Sequence, residues 1–146
     1  MRKIFLSLIA LTTFIVPTVG SWAKLPKGEH CLTHYYIVEP VFLMPVLIKH
    51  KDELNLTPEQ KEKIKALIRE IKPKAVYYSQ RIDELVPKIR RDLIFNPDKK
   101  MVEDELTLLA DLKIRKSLLN YECIQALRKI LTEEQFKKLL QYAGIH

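Results

Sequence analysis

The sequence predicts an all-α fold: an elongated helical hairpin of two long helices, with a short first and a short fourth helix. Three observations carry this. The pentapeptide Leu-Thr-x-x-Gln occurs twice, as Leu56-Thr57-Pro58-Glu59-Gln60 and Leu131-Thr132-Glu133-Glu134-Gln135. Each copy has the form of a capping box, in which Thr accepts from the N3 amide and the N3 Gln reaches back to the N-cap amide. Apolar residues recur at spacings of three and four through the two central segments, the period of an α-helix. Glycine occurs only at Gly20, Gly28 and Gly144, and no strand-period run or glycine-rich phosphate loop is found.

Residues 1–23 read as a secretory signal: Arg2 and Lys3, an apolar stretch from Ile4 to Val16, and Ser21-Trp22-Ala23 as a small-x-small cleavage site. The rival reading is a retained membrane anchor, against which the stretch is short and carries Thr12, Thr13 and Pro17. Cleavage near Ala23 leaves 123 of 146 residues, enough for one domain. It leaves 23 basic and 18 acidic side chains, so the net charge falls from +7 to +5. In the periplasm this charge points away from nucleic acid. It is interleaved with Asp and Glu, as on a solvated helical surface.

Residues 24–39 form an irregular arm, and 40–146 the helical domain. Pro40 to Leu54 reads as a short first helix, or one that starts only near Pro45. Asn55 and the first box turn the chain into the second helix, with Pro58 at N1. Its stripe is Ile64, Ile68, Ile71, Ala75, Tyr78, Ile82, Leu85, Ile89 and Leu93, about four heptads. Pro73 and Pro87 fall inside it and predict a bend. Asn96-Pro97-Asp98 makes a turn short enough to set helices two and three antiparallel. Helix three runs from about Asp98 to Ile130. Its apolar face is Val102, Leu106, Leu109, Leu112, Leu119, Cys123, Leu127 and Ile130, interrupted by the charge of Lys116. The second box opens helix four, Thr132 to about Tyr142, with Leu131 stapled to Phe136 and Gly144 as the stop. Lys61 replaces the staple partner in the first box, so Leu56 must pack elsewhere.

With its export signal, arm, two boxes and hairpin, the chain resembles the Spy/CpxP family of periplasmic proteins, named for paired LTxxQ motifs. The resemblance implies a thin, curved, cradle-like antiparallel homodimer. It implies an ATP-independent chaperone or stress-response protein holding partly folded envelope proteins. Other members inhibit the sensor kinases of envelope stress, and others sense or sequester zinc, nickel, cobalt or copper. The motif residues Leu56, Thr57, Gln60, Leu131, Thr132 and Gln135 carry over as structural helix caps. The family's metal-sensing members use His and carboxylates near the first helix, which draws attention to His30, Cys31 and His34.

Those three residues are the densest group of candidate ligands, suited to zinc, copper or nickel. No His-rich tail accompanies them. Cys31 and Cys123 would enter an oxidising compartment, either as a disulfide or as a free Cys31 and a buried Cys123. Lys74, Arg81, Lys88, Arg90, Arg91, Lys113 and Arg115 are candidate client-binding rim residues, or an ordinary solvated helix face. Tyr77, Tyr78, Phe95, Tyr121 and Phe136 are candidate apolar contacts for a client, a core or a dimer partner. No nucleophile–base set or catalytic carboxylate pair can be argued from spacing, so a non-enzymatic binding protein without a required cofactor is expected.

Overall fold

The computed structural model describes residues 34–145. The expected signal segment, most of the arm, His30 and Cys31 lie outside the described residues. Among those described, the secondary structure is helical: α1 (Leu43–Lys49), α2 (Pro58–Phe95), α3 (Lys99–Ile130) and α4 (Glu133–Tyr142).

Each boundary has a local cause. Thr57 and Thr132 are the N-caps of α2 and α4, each in a complete capping box. Asn55 adopts a φ of 49°, the left-handed turn that brings the chain out of α1 and into the first box. Asp98 caps α3, its Oδ1 accepting from the backbone N–H groups of Lys100 at 3.0 Å and Met101 at 3.1 Å. Gly144, at φ 71°, ends α4. Its N–H donates to the Gln141 carbonyl and that of Ile145 to the Leu140 carbonyl, the double bond of a Schellman motif.

α3 folds back along α2. Gln60 meets Ile130, Ser79 meets Lys116, and Lys88 meets Glu105, so pairs near one end of α2 match those near the far end of α3. α2 passes through Pro73 and Pro87 without interruption. Both prolines are exposed, on the side where water can take the carbonyl each one frees.

The α2 stripe is buried or half-buried from Ile64 to Ile89, but Leu93 is 59% exposed. The α3 face differs from the sequence expectation in one register position. Leu106 is exposed and its neighbour Glu105 is buried. The inward residues of α3 are Val102, Glu105, Leu109, Leu112, Lys116, Leu119 and Cys123, alternating by three and four. That strict alternation is the seam two long packed helices share, and Leu106 falls about 100° outside it. Lys88 makes Glu105 tolerable there through an ion pair, although the second carboxylate oxygen, Oε2, has no partner.

The main core joins all four helices at one end. Leu43 and Leu47 of α1, Leu54 and Leu56 of the turn, Ile64 of α2, Leu127 and Leu131 around the end of α3, and Leu139 of α4 form one cluster. Leu56 therefore packs into this cluster, which also takes in Leu131 from the second motif. Phe136 is partly buried against the same cluster, as its staple role requires. A helix as short as α1 is not stable alone. It is held by Leu43 and Leu47, one turn apart and each 2% exposed. The chain before it is tied to α3 by the Ile37 N–H on Ser117 Oγ at 3.2 Å and by the Asn120 amide on the Val41 carbonyl at 3.0 Å.

Leu127 has no exposed surface, whereas Leu93 is largely solvated. Leu127→Ala is expected to cost about 2–5 kcal/mol of unfolding free energy, and Leu93→Ala to stay within about 0.5 kcal/mol of zero. Urea titrations of the two variants check this. Equal losses would mean that the four-helix cluster is not the seat of stability.

Candidate functional site

The two motifs are one structure. In the first box, Thr57 Oγ1 accepts from the Gln60 N–H at 3.1 Å, and Gln60 Oε1 accepts from the Thr57 N–H at 3.0 Å. The second box repeats this at 3.2 and 2.9 Å with Thr132 and Gln135. The side-chain amides then meet across the fold. Gln60 Nε2 donates to Gln135 Oε1 at 2.7 Å, and Gln135 Nε2 donates to Gln60 Oε1 at 3.2 Å. The remaining amide hydrogens go to backbone: Gln60 to the Ile130 carbonyl at 3.0 Å, Gln135 to the Leu54 carbonyl at 3.1 Å.

Each side-chain nitrogen thus uses both hydrogens, and each side-chain oxygen takes two donors. The orientation of both amides is forced, because a flipped amide would set N–H against the N-cap N–H. The Ile130 carbonyl is one of those left over at the end of α3. The pair therefore serves the starts of α2 and α4, the end of α3 and the turn after α1. Lys138 adds a bond from its Nζ to the Glu53 carbonyl at 2.8 Å. The Leu, Thr and Gln positions of both motifs are structural in this arrangement.

Most of the seven basic candidates are paired with nearby acids. Lys74 pairs with Glu70 at 2.7 Å, Arg81 with Glu84 at 2.6 Å, and Arg115 with Asp111 at 2.7 Å, each within its own helix. Glu70 is the main cause that raises the pKa of Lys74, and Asp111 that of Arg115. Lys88 joins Glu105 and Asp92, Arg91 lies 3.6 Å from Asp92, Arg90 is exposed, and Lys113 is half-buried. Exposed pairs of this kind contribute little to stability and neutralise much of the local field.

Apolar exposure is more distinctive. Tyr77, Phe95 and Tyr121 are 55%, 75% and 59% exposed, while Tyr78 and Phe136 are half-buried. Sequence reading missed Ile114 and Leu118, which are also exposed. With Tyr121 they are spaced by four and three on α3, one stripe facing away from the buried Leu119 and Cys123. The signal was present, since this stripe is a second apolar period on the same helix.

Of the metal candidates, His34 is described. Its Nε2 lies 3.3 Å from Asp83 Oδ1, and the Tyr35 hydroxyl donates to Asp83 Oδ2 at 3.1 Å. Among the described residues no group of three His, Cys, Asp or Glu side chains is placed to hold a metal ion. Cys123 is a buried free thiol, and Cys31, its expected disulfide partner, lies outside the described residues. Burial pushes the Cys123 pKa up, which makes it a weak nucleophile. Lys116 is buried against Ser79 and the rings of Tyr35 and Tyr36, and desolvation pushes its pKa down.

In comparison with known proteins, no family model, no curated protein and no solved structure matches this chain.

The amide pair predicts strong coupling. Gln60→Ala and Gln135→Ala should each cost about 1–3 kcal/mol, because each strands the other amide and a backbone carbonyl. The double variant should cost less than the sum by roughly 0.5–3 kcal/mol. Chemical denaturation of the four proteins reads this cycle. Additive costs would mean that the boxes act separately and that their contact does not join the fold.

Proposed function

We propose that this chain is a periplasmic, ATP-independent binding protein of the holdase type, exported by residues 1–23. It works as an antiparallel homodimer of curved helical hairpins and has no catalytic role. Its clients are unfolded or partly folded envelope proteins.

The observation that carries this reading is the exposed apolar surface of the long helices, Ile114, Leu118 and Tyr121 on α3 with Val76 and Tyr77 on α2. Isolated exposed apolar side chains are ordinary, but a stripe of them fits contact with other chains. Ion-paired Lys, Arg, Glu and Asp on α2 and α3 supply charges of both signs without imposing one sequence on the client. The interlocked boxes support the same reading. They give the paired LTxxQ motif a reason to be paired, in keeping with the family the sequence resembles. Such a protein acts passively: it lowers the free concentration of aggregation-prone chains and releases them to fold.

Light scattering of a diluted, chemically denatured client, without nucleotide, tests the proposal. The chain should suppress aggregation at about tenfold molar excess or less. A Leu118→Asp/Tyr121→Asp variant should lose most of that protection while its unfolding free energy stays within about 0.5 kcal/mol of the parent for each exposed site. No suppression by the parent chain, or full protection by the variant, would remove the reading.

A further inference from the structure

A cleft of about 240 Å³ opens between α1, α2, α3 and the chain that precedes α1. Its walls are apolar, with Phe42 and Ile48 on one side, Ile68 and Ile71 of α2 on another, and Leu119 of α3 behind. The charges bordering it are of one sign. Lys72 and Lys116 line it, and among the described residues no carboxylate does.

The two lysines differ. Lys72 is exposed, whereas Lys116 is only 5% exposed. An ammonium has three hydrogens to donate. Lys116 Nζ donates to Ser79 Oγ and lies 4.2 Å from the Tyr35 ring centre and 5.0 Å from that of Tyr36. None of these carries a formal negative charge. Asp83 is the acidic side chain whose field reaches Lys116, but its carboxylate is engaged by His34 and Tyr35. Buried charges are ordinarily paired, because an unpaired one loses its hydration without replacement. An apolar cleft bordered by two lysines and no carboxylate is complementary to an apolar chain with one negative head.

We propose that this cleft binds an aliphatic monocarboxylate, with the carboxylate on the Lys116 ammonium and the chain along Ile68, Ile71 and Leu119. The site uses the inward face of α3, whereas clients are proposed to meet the opposite face, so the two readings stand or fall separately.

Calorimetric titration of the full chain with straight-chain carboxylates, alcohols and amines tests it. Carboxylate affinity should rise about fourfold per methylene and level off once the chain outgrows the cleft. Octanoate should bind at least about tenfold more tightly than octanol or octylamine. Lys116→Met should bring octanoate down to the level of octanol and leave octanol unchanged. Ala75→Trp, from the cleft wall, should abolish binding of both. If Lys116→Met does not fold, the octanoate-to-octanol ratio of the parent chain and the loss in Ala75→Trp still decide. Equal affinity for octanoate and octanol, no binding at millimolar concentration, or an undiminished preference in Lys116→Met would overturn the proposal. Capture of apolar peptides but not octanoate would also overturn it, and would give the cleft to protein clients.

Discussion

The reciprocal amide pair of Gln60 and Gln135 is the contact on which the arrangement of the helices depends. A capping box is local, a matter of four residues, and it stabilises one helix start wherever that start lies in space. Here each glutamine has two amide hydrogens and a second lone pair still to satisfy, and one hydrogen and the lone pair find the other motif's glutamine. The two helix starts cannot move apart without leaving part-buried polar groups unpaired. The third and fourth partners, the carbonyls of Ile130 and Leu54, bring the end of α3 and the turn after α1 into the same node. Leu56 and Leu131, adjacent to the caps, bury themselves in the leucine cluster on the same side. Polar satisfaction and apolar burial thus select the same geometry, and that agreement makes the node specific.

Away from this node the molecule depends on fewer contacts. The seam between α2 and α3 contains Lys116, opposite Ser79, and farther out Glu105, opposite Lys88, at positions where an apolar side chain would ordinarily lie. Each is matched differently. Glu105 has Lys88 from α2, so a charge is met by a charge, with one oxygen left over. Lys116 has a hydroxyl and two aromatic faces. Buried charges of this kind are poor sources of stability compared with apolar side chains of the same size. They do fix register, because a slip of one position along the seam would strand both. A structure whose stability is concentrated at one end has a far end that opens at lower cost. The most exposed apolar residues of α2, Leu93 to Phe95, lie at that end.

α3 carries two apolar periods. The inner one faces α2 and forms the seam, while Ile114, Leu118 and Tyr121 form the outer one. An ordinary surface helix has one such stripe and a polar opposite face. The second stripe has no use within the described chain and fits a protein that meets other chains. The cations proposed from sequence as a rim are mostly satisfied by acids a turn away on the same helix. Attraction of clients by charge is therefore diffuse, and apolar contact contributes more to the proposed binding.

The sequence by itself determined the fold class and nearly every helix boundary. Thr57, Thr132, Asp98, Asn55 and Gly144 act through bonds to residues within about five positions, so their effect is written in the local chain. It determined the α2 stripe as far as Ile89 for the same reason, since a helical period is a property of one segment. Only the tertiary structure decided what those segments meet. That Gln60 and Gln135, 75 residues apart, bond each other depends on how the chain folds back, and neither box contains that information. Leu106 is more apolar than Glu105, yet Glu105 is buried, because the axis of α2 sets the seam and Lys88 happens to lie across it. Lys116 interrupts the apolar face in the sequence. Its burial depends on Ser79 and on Tyr35 and Tyr36 reaching it from distant parts of the chain. Each of these outcomes is a relation between two surfaces, and a pattern read along one stretch of sequence fixes only one of them.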